Sequence, residues 1–75
     1  MKTVLISGCA GFIGQNLIKN LISDYKIIGI DNFYSSSSDS IKKYLNLANF
    51  KFIEANINNL PKIEGDIEII YNLAC

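Results

Sequence analysis

Val4–Leu5–Ile6 is a short apolar run rich in β-branched residues that stops at Ser7–Gly8, the pattern of a strand buried on both faces. From Phe12 the period changes. Ile13, Leu17 and Leu21 recur every four residues with Ile18 and Ile22 beside them, while Gln15, Asn16, Lys19 and Asn20 fill the other face. This spacing predicts an amphipathic helix over 12–23 with Ile13 on its apolar side. Lys26–Ile27–Ile28–Gly29–Ile30 predicts a second strand closed by Asp31, and Asn32–Phe33–Tyr34 then leads into the polar loop Ser35–Ser38. Asp39 or Ser40 is placed to cap a short helix carrying Ile41, Tyr44, Leu45 and Leu47. Phe50–Ile53 predicts a third strand. A crossover holding Leu60, Pro61 and Ile63 follows, then a turn at Glu64–Gly65–Asp66 and a fourth strand from Ile67 to Tyr71, continuing through Ala74.

Strands alternating with helices and crossovers predict an α/β fold with a parallel sheet wound by right-handed connections. Four strands make one mononucleotide-binding half of a doubly wound fold and part of the other. The chain stops as the fourth strand ends, so the expectation is an incomplete sheet, with residues 1–75 forming part of a larger domain. An apolar strand from Ile67 to Ala74 with an open edge predicts self-association.

Composition narrows the function classes. The 75 residues are 49% hydrophobic, too apolar for a disordered tail. Seven lysines balance seven acids with no Arg and no His, which argues against a nucleic-acid binder and removes His as a general base or metal ligand. No run approaches the roughly 18 apolar residues of a membrane span. The apolar run after Lys2 is far shorter than a signal peptide's core. Two cysteines, Cys9 and Cys75, do not make a disulfide framework, and a reducing, cytoplasmic setting is expected.

Chemistry concentrates at Gly8–Cys9–Ala10–Gly11–Phe12–Ile13–Gly14, between the first strand and the first helix. Three glycines spaced three apart serve a tight strand-to-helix turn, close backbone approach to a pyrophosphate, and close packing of helix on strand. The anion then meets the amides and positive end of the helix. Asp31 ends the second strand, 23 positions after Gly8. A carboxylate there accepts hydrogen bonds from an adenosine ribose and repels a 2′-phosphate, favouring NAD over NADP. A P-loop is excluded because no Gly-Lys-Ser/Thr follows the glycines. A helix start is a place that lowers a thiol pKa, so Cys9 is a minor redox candidate beside its plainer packing role.

The stretch Ser7–Gly14, Asp31–Asn32–Phe33 and Tyr71–Asn72–Leu73–Ala74–Cys75 together resemble the extended short-chain dehydrogenases/reductases that modify nucleotide sugars, in their N-terminal, NAD-binding Rossmann part. Within that family the ending Leu-Ala-Cys looks most like UDP-glucuronate decarboxylases, with dTDP-glucose 4,6-dehydratases and UDP-galactose 4-epimerases as sibling activities. The resemblance implies that Gly8, Gly11 and Gly14 wrap the pyrophosphate, with the amides of Phe12 and Ile13 donating to it. It implies that Asp31 and Asn32 hold the adenosine ribose, that Asn56 and Ile57 border the adenine, and that Leu73 and Ala74 lie under the nicotinamide-side ribose. Asn72 stands where the family commonly carries His. The family oxidises the sugar at C4 with NAD⁺ and handles the proton with a Tyr-x-x-x-Lys pair. Tyr25, Tyr34, Tyr44 and Tyr71 have no Lys four residues on, so no catalytic residue is assigned and the chain alone is not expected to turn over. The nucleotide sugar is then a partner of an intact parent only. A non-catalytic dinucleotide-binding module and an inactive self-associating fragment are the readings of another class.

Overall fold

The structure is a computed structural model that describes residues 1–32, 38–55 and 66–73. Strand β1 runs Lys2–Ser7, helix α1 Phe12–Leu21, β2 Tyr25–Asp31, a 3-10 helix Ser38–Tyr44, β3 Phe50–Glu54 and β4 Ile67–Asn72. The strands form one sheet in the order β3-β2-β1-β4, every neighbouring pair parallel. It is a doubly wound, Rossmann-like sheet. From β1 the chain steps outward through β2 to β3, then returns to the far side of β1 for β4. The winding therefore reverses at β1, and the carboxyl end of β1 is the switch point where such sheets open a ligand crevice.

Alternation along the strands divides the core between two faces. Val4, Ile6, Ile27 and Phe50 pack with Ile18 of α1 and with Ile41 and Tyr44 of the 3-10 helix, the Tyr44 and Phe50 rings meeting 5.9 Å apart. Leu5, Ile28 and Ile30 form the opposite cluster, with Ile53, Ala55 and Ile67 against it. Each fully buried isoleucine contributes on the order of 1.5–3 kcal/mol.

Two expectations are corrected. Ile13 is 62% exposed, and the buried line of α1 runs through Gly14 and Ile18, with Leu17, Leu21 and Ile22 partly covered. The helix is rotated so that Gly14, not Ile13, faces the loop before it. The helix after β2 is a 3-10 helix that starts at Ser38, and Ser40 lies inside it. The Ser40 hydroxyl reaches out of its own helix to the carbonyl of Ala10, 2.8 Å away, so it bonds across the fold. Elsewhere the Asn49 amide donates to the carbonyls of Ile22 and Tyr25, closing the turn between α1 and β2. The loop 33–37, the crossover with Leu60, Pro61 and Ile63, the first two residues of the expected turn at 64–66, and Ala74 and Cys75 lie outside the described residues.

Candidate functional site

Gly8 leaves β1 with φ of 75°, in the left-handed region that favours glycine. That turn is tied to the end of β2, because the amides of Gly8 and Cys9 both donate to the Ile30 carbonyl, at 2.7 and 3.2 Å. The Gly11 amide turns back to the Gly8 carbonyl at 3.2 Å, and the Gly11 carbonyl accepts the first helical bond from the Gln15 amide at 2.9 Å. Gly11 is the helix N-cap and has no side chain to cap with. Its neighbours Phe12, Ile13 and Gly14 hold the first amides of α1, which no side chain of the cap covers. These N–H groups and the positive helix end form a ready anion site.

Gly14 sets how close α1 comes to the loop. A Cβ there would stand 2.5 Å from the Gly8 carbonyl oxygen, 2.6 Å from Cys9 Cα and 2.7 Å from the Cys9 carbonyl oxygen. All three are backbone atoms, so no side chain fits.

Asp31 closes the other side of the loop. It is 9% exposed, and its Oδ2 accepts the Ala10 amide at 2.9 Å. The Ala10 carbonyl in turn accepts from Ser40 Oγ at 2.8 Å and from Gln15 Nε2 at 3.1 Å. The structure therefore brings Gly8, Gly11, Phe12, Ile13, Gly14 and Asp31 to one end of the sheet, with exposed Asn32 next in the chain. Leu73 joins them from β4, its amide donating to the Ser7 carbonyl at 3.0 Å. Asn56, Ile57 and Ala74 lie outside the described residues.

Three residues were not singled out for this arrangement. Gln15 read as part of the wet helix face and Ser40 as a cap, because a contact back to Ala10 leaves no periodic trace. The third is the partner of Asn72. Ser7 Oγ donates to Asn72 Oδ1 at 2.7 Å, so the amide has a defined role in tying β4 to β1.

Cys9 takes the opposite direction from a reactive thiol. Burial first, and the nearby Asp31 carboxylate second, push its pKa up to about 12, against a smaller lowering by a backbone hydrogen bond. Its sulfur fills the space over Gly29, 2.8 Å from where a Cβ there would stand. The helix start does not offset this desolvation, and the thiol is a packing group. Among the described residues no cluster of three His, Cys, Asp or Glu is placed to hold a metal ion.

The dinucleotide fits this end of the sheet on two observations. The N-cap Gly11 puts no side chain over the helix start, and the loop below it is too tight for a Cβ at Gly14 but open to an approaching ligand on the side of Phe12 and Ile13, which are 80% and 62% exposed.

Known proteins give the same fold and name its family. UDP-glucuronic acid decarboxylase 5 of Arabidopsis thaliana is 38% identical over 74 residues, covering 96% of this chain and 21% of the plant protein. The dTDP-glucose 4,6-dehydratase of Bacillus anthracis, solved with NAD, superposes with a TM-score of 0.83 at 28% identity, over 99% of this chain and 27% of that one. The UDP-glucuronic acid 4-epimerase of Bacillus cereus, also solved with NAD, gives 0.84 at 32% identity over 95% and 26%. The chain thus spans about a fifth to a quarter of the length of these relatives, and both of the solved structures hold NAD. The family model for the NAD dependent epimerase/dehydratase family matches residues 4–75, and the chain belongs to that family.

Proposed function

We propose that this chain is the NAD-binding segment of a nucleotide-sugar-modifying enzyme, and that the reaction it serves is oxidation of a UDP-linked sugar at C4, as in UDP-glucuronate decarboxylation. The observation that carries the cofactor half of this reading is the loop itself: a helix start with a glycine N-cap, packed closely at Gly14, with the Asp31 carboxylate bonded to the same loop at Ala10. The amides of Phe12 and Ile13 would take the pyrophosphate, and Asp31 with Asn32 would take the adenosine ribose. When bound, NAD⁺ supplies the hydride acceptor for C4 oxidation. What supports the decarboxylase over its siblings is the likeness to the plant enzymes, 38% and 35% identical over nearly the whole of this chain.

The tyrosines among the described residues have other work. Tyr44 is buried against Phe50, and Tyr25 and Tyr71 pack on the same core cluster. Proton transfer is assigned to none of them.

Calorimetric titration of the chain with NAD⁺ and with NADP⁺ tests the reading. Saturable binding that prefers NAD⁺ and weakens at least ten-fold in Asp31→Ala is the expected result, since a hydrogen bond to a charged group contributes roughly 1.5–3 kcal/mol. Equal affinity for the two cofactors, or no binding by a folded chain, would sink it.

A further inference from the structure

Ala10 sits between two anchors. Its amide donates to Asp31 Oδ2 at 2.9 Å, and its carbonyl accepts from Ser40 Oγ at 2.8 Å and Gln15 Nε2 at 3.1 Å. The peptide that carries this carbonyl also carries the Gly11 amide, which donates to the Gly8 carbonyl at 3.2 Å. Both ends of that peptide are thus fixed, and it leads straight into the helix start. Among the described residues, Ser40 is the one donor to Ala10 that comes from beyond β2, and it is 30 positions from Ala10 in sequence. It stands in the 3-10 helix Ser38–Tyr44, whose Ile41 and Tyr44 are buried in the core on the α1 side. The hydroxyl therefore rests on a packed element and bears on the loop from outside it. Gln15, by contrast, belongs to α1 and moves with the loop.

We propose that Ser40 is a positioning residue for the adenosine half of the site: through the Ala10 carbonyl it fixes the loop on which the Asp31 carboxylate is hung. This rests on the proposed NAD reading. One Asp31 oxygen is oriented by the Ala10 amide, so the direction in which the carboxylate meets a ribose follows the attitude of Ala10. Losing Ser40 lets Ala10 tilt, which weakens the bond from Asp31 to a 2′-hydroxyl. NADP⁺, which makes no such bond, is little affected. A side chain that merely stabilised the fold would weaken both cofactors alike.

The test uses Ser40→Ala and Ser40→Thr in the whole chain, with two readouts. The first is the ratio of NADP⁺ to NAD⁺ dissociation constants. Ser40→Ala is expected to raise the NAD⁺ constant about five-fold and to narrow the ratio by a similar factor, the size of one net hydrogen bond. Ser40→Thr, which keeps the hydroxyl, restores both. The second readout needs no cofactor: hydrogen exchange at the Ala10 amide of the free chain, expected to quicken about ten-fold in Ser40→Ala and to return in Ser40→Thr. If the unsubstituted chain binds no NAD⁺, the proposed function falls and this role falls with it. If it binds and Ser40→Ala leaves the ratio unchanged, or lowers both affinities equally with uniform quickening of exchange, the positioning role alone is overturned.

Discussion

Strands β2 and β4 are both apolar, both parallel to β1 and both paired along it, yet their surroundings differ. Ile27 through Asp31 of β2 are buried without a break, whereas β4 alternates between half-buried and exposed positions, with Ile70 64% exposed. The two isoleucines paired with Leu5 make the contrast sharp: Ile28 on β2 is 3% exposed, Ile70 on β4 is not covered. Apolar character makes a strand, but burial requires a neighbour along each edge and cover on each face. The attachment differs too. The β2 side is held through the glycine loop, by Gly8 and Cys9 on Ile30 and by Ala10 on Asp31. The β4 side has a ladder whose register shifts between Thr3 and Val4, closed at its end by Ser7 with Asn72 and Leu73. The candidate site is built almost wholly on the locked side.

The strongest way to break that side is Gly14→Ala. Its methyl group would press on three backbone atoms at 2.5–2.7 Å, and backbone cannot swing aside as a side chain can. The expected cost is about 3 kcal/mol, a large part of the roughly 4–11 kcal/mol that a chain of this length has. Thermal unfolding followed by circular dichroism should fall by more than about ten degrees. A melting point within a few degrees of the parent would mean that the loop and helix are not held together as described.

Next in size is an alkaline weakening specific to Cys9. The thiol titrates near 9.0 when unfolded and at about 12 in the fold, so between these values the unfolded chain gives up a proton that the folded chain keeps. Stability contributed by the neutral thiol is complete below pH 9 and is lost progressively as pH rises toward 12. Urea melts from pH 7 to 10.5 should show a decline that Cys9→Ala lessens, since the remaining titrating groups are common to both chains. In the folded chain at pH 8 iodoacetamide should leave Cys9 untouched, and rapid alkylation there would contradict its burial.

How much of this was legible in the sequence follows the range of the interactions. Val4–Ile6, Lys26–Ile30 and Phe50–Ile53 announce strands because β-branched and aromatic runs state their preference locally, and the glycine spacing announces a turn into a helix for the same reason. Ile13 misled because a four-residue period fixes a face only to within a residue or so, and the choice was made by Gly14 touching the Gly8 and Cys9 backbone. At Cys9 the plainer packing reading holds: the helix start is visible in sequence, while the burial of the thiol over Gly29 and the nearness of the Asp31 carboxylate are not. Ser40 with Ala10 and Ser7 with Asn72 join positions 30 and 65 apart, beyond any local pattern.

A smaller effect is expected at the join between the two regions. Ser7 is 1% exposed and donates to Asn72, an exposed residue. Ser7→Ala removes the donor and leaves the Asn72 oxygen able to turn to water, so only the net value of one hydrogen bond is lost, about 1 kcal/mol. Hydrogen exchange should quicken at the Leu73 amide and stay unchanged at Gly8 and Ala10. Equal quickening on the β2 side would show that the two attachments to β1 are one cooperative unit.

The finest test compares the two residues paired with Leu5. Ile28→Ala removes a buried side chain and should cost about 3 kcal/mol, within the roughly 2–5 kcal/mol typical of such truncations. Ile70→Ala removes side-chain atoms that already meet solvent, and its transfer term shrinks with the area buried, leaving less than about 0.5 kcal/mol. The small number is the informative one. Chemical denaturation at two protein concentrations a hundred-fold apart would read it. A loss near that of Ile28→Ala at both concentrations would mean that Ile70 is covered within the fold. A loss that appears only at the higher concentration would mean that a second copy covers it, and the contrast between β2 and β4 would then belong to the isolated chain, not to the protein in solution.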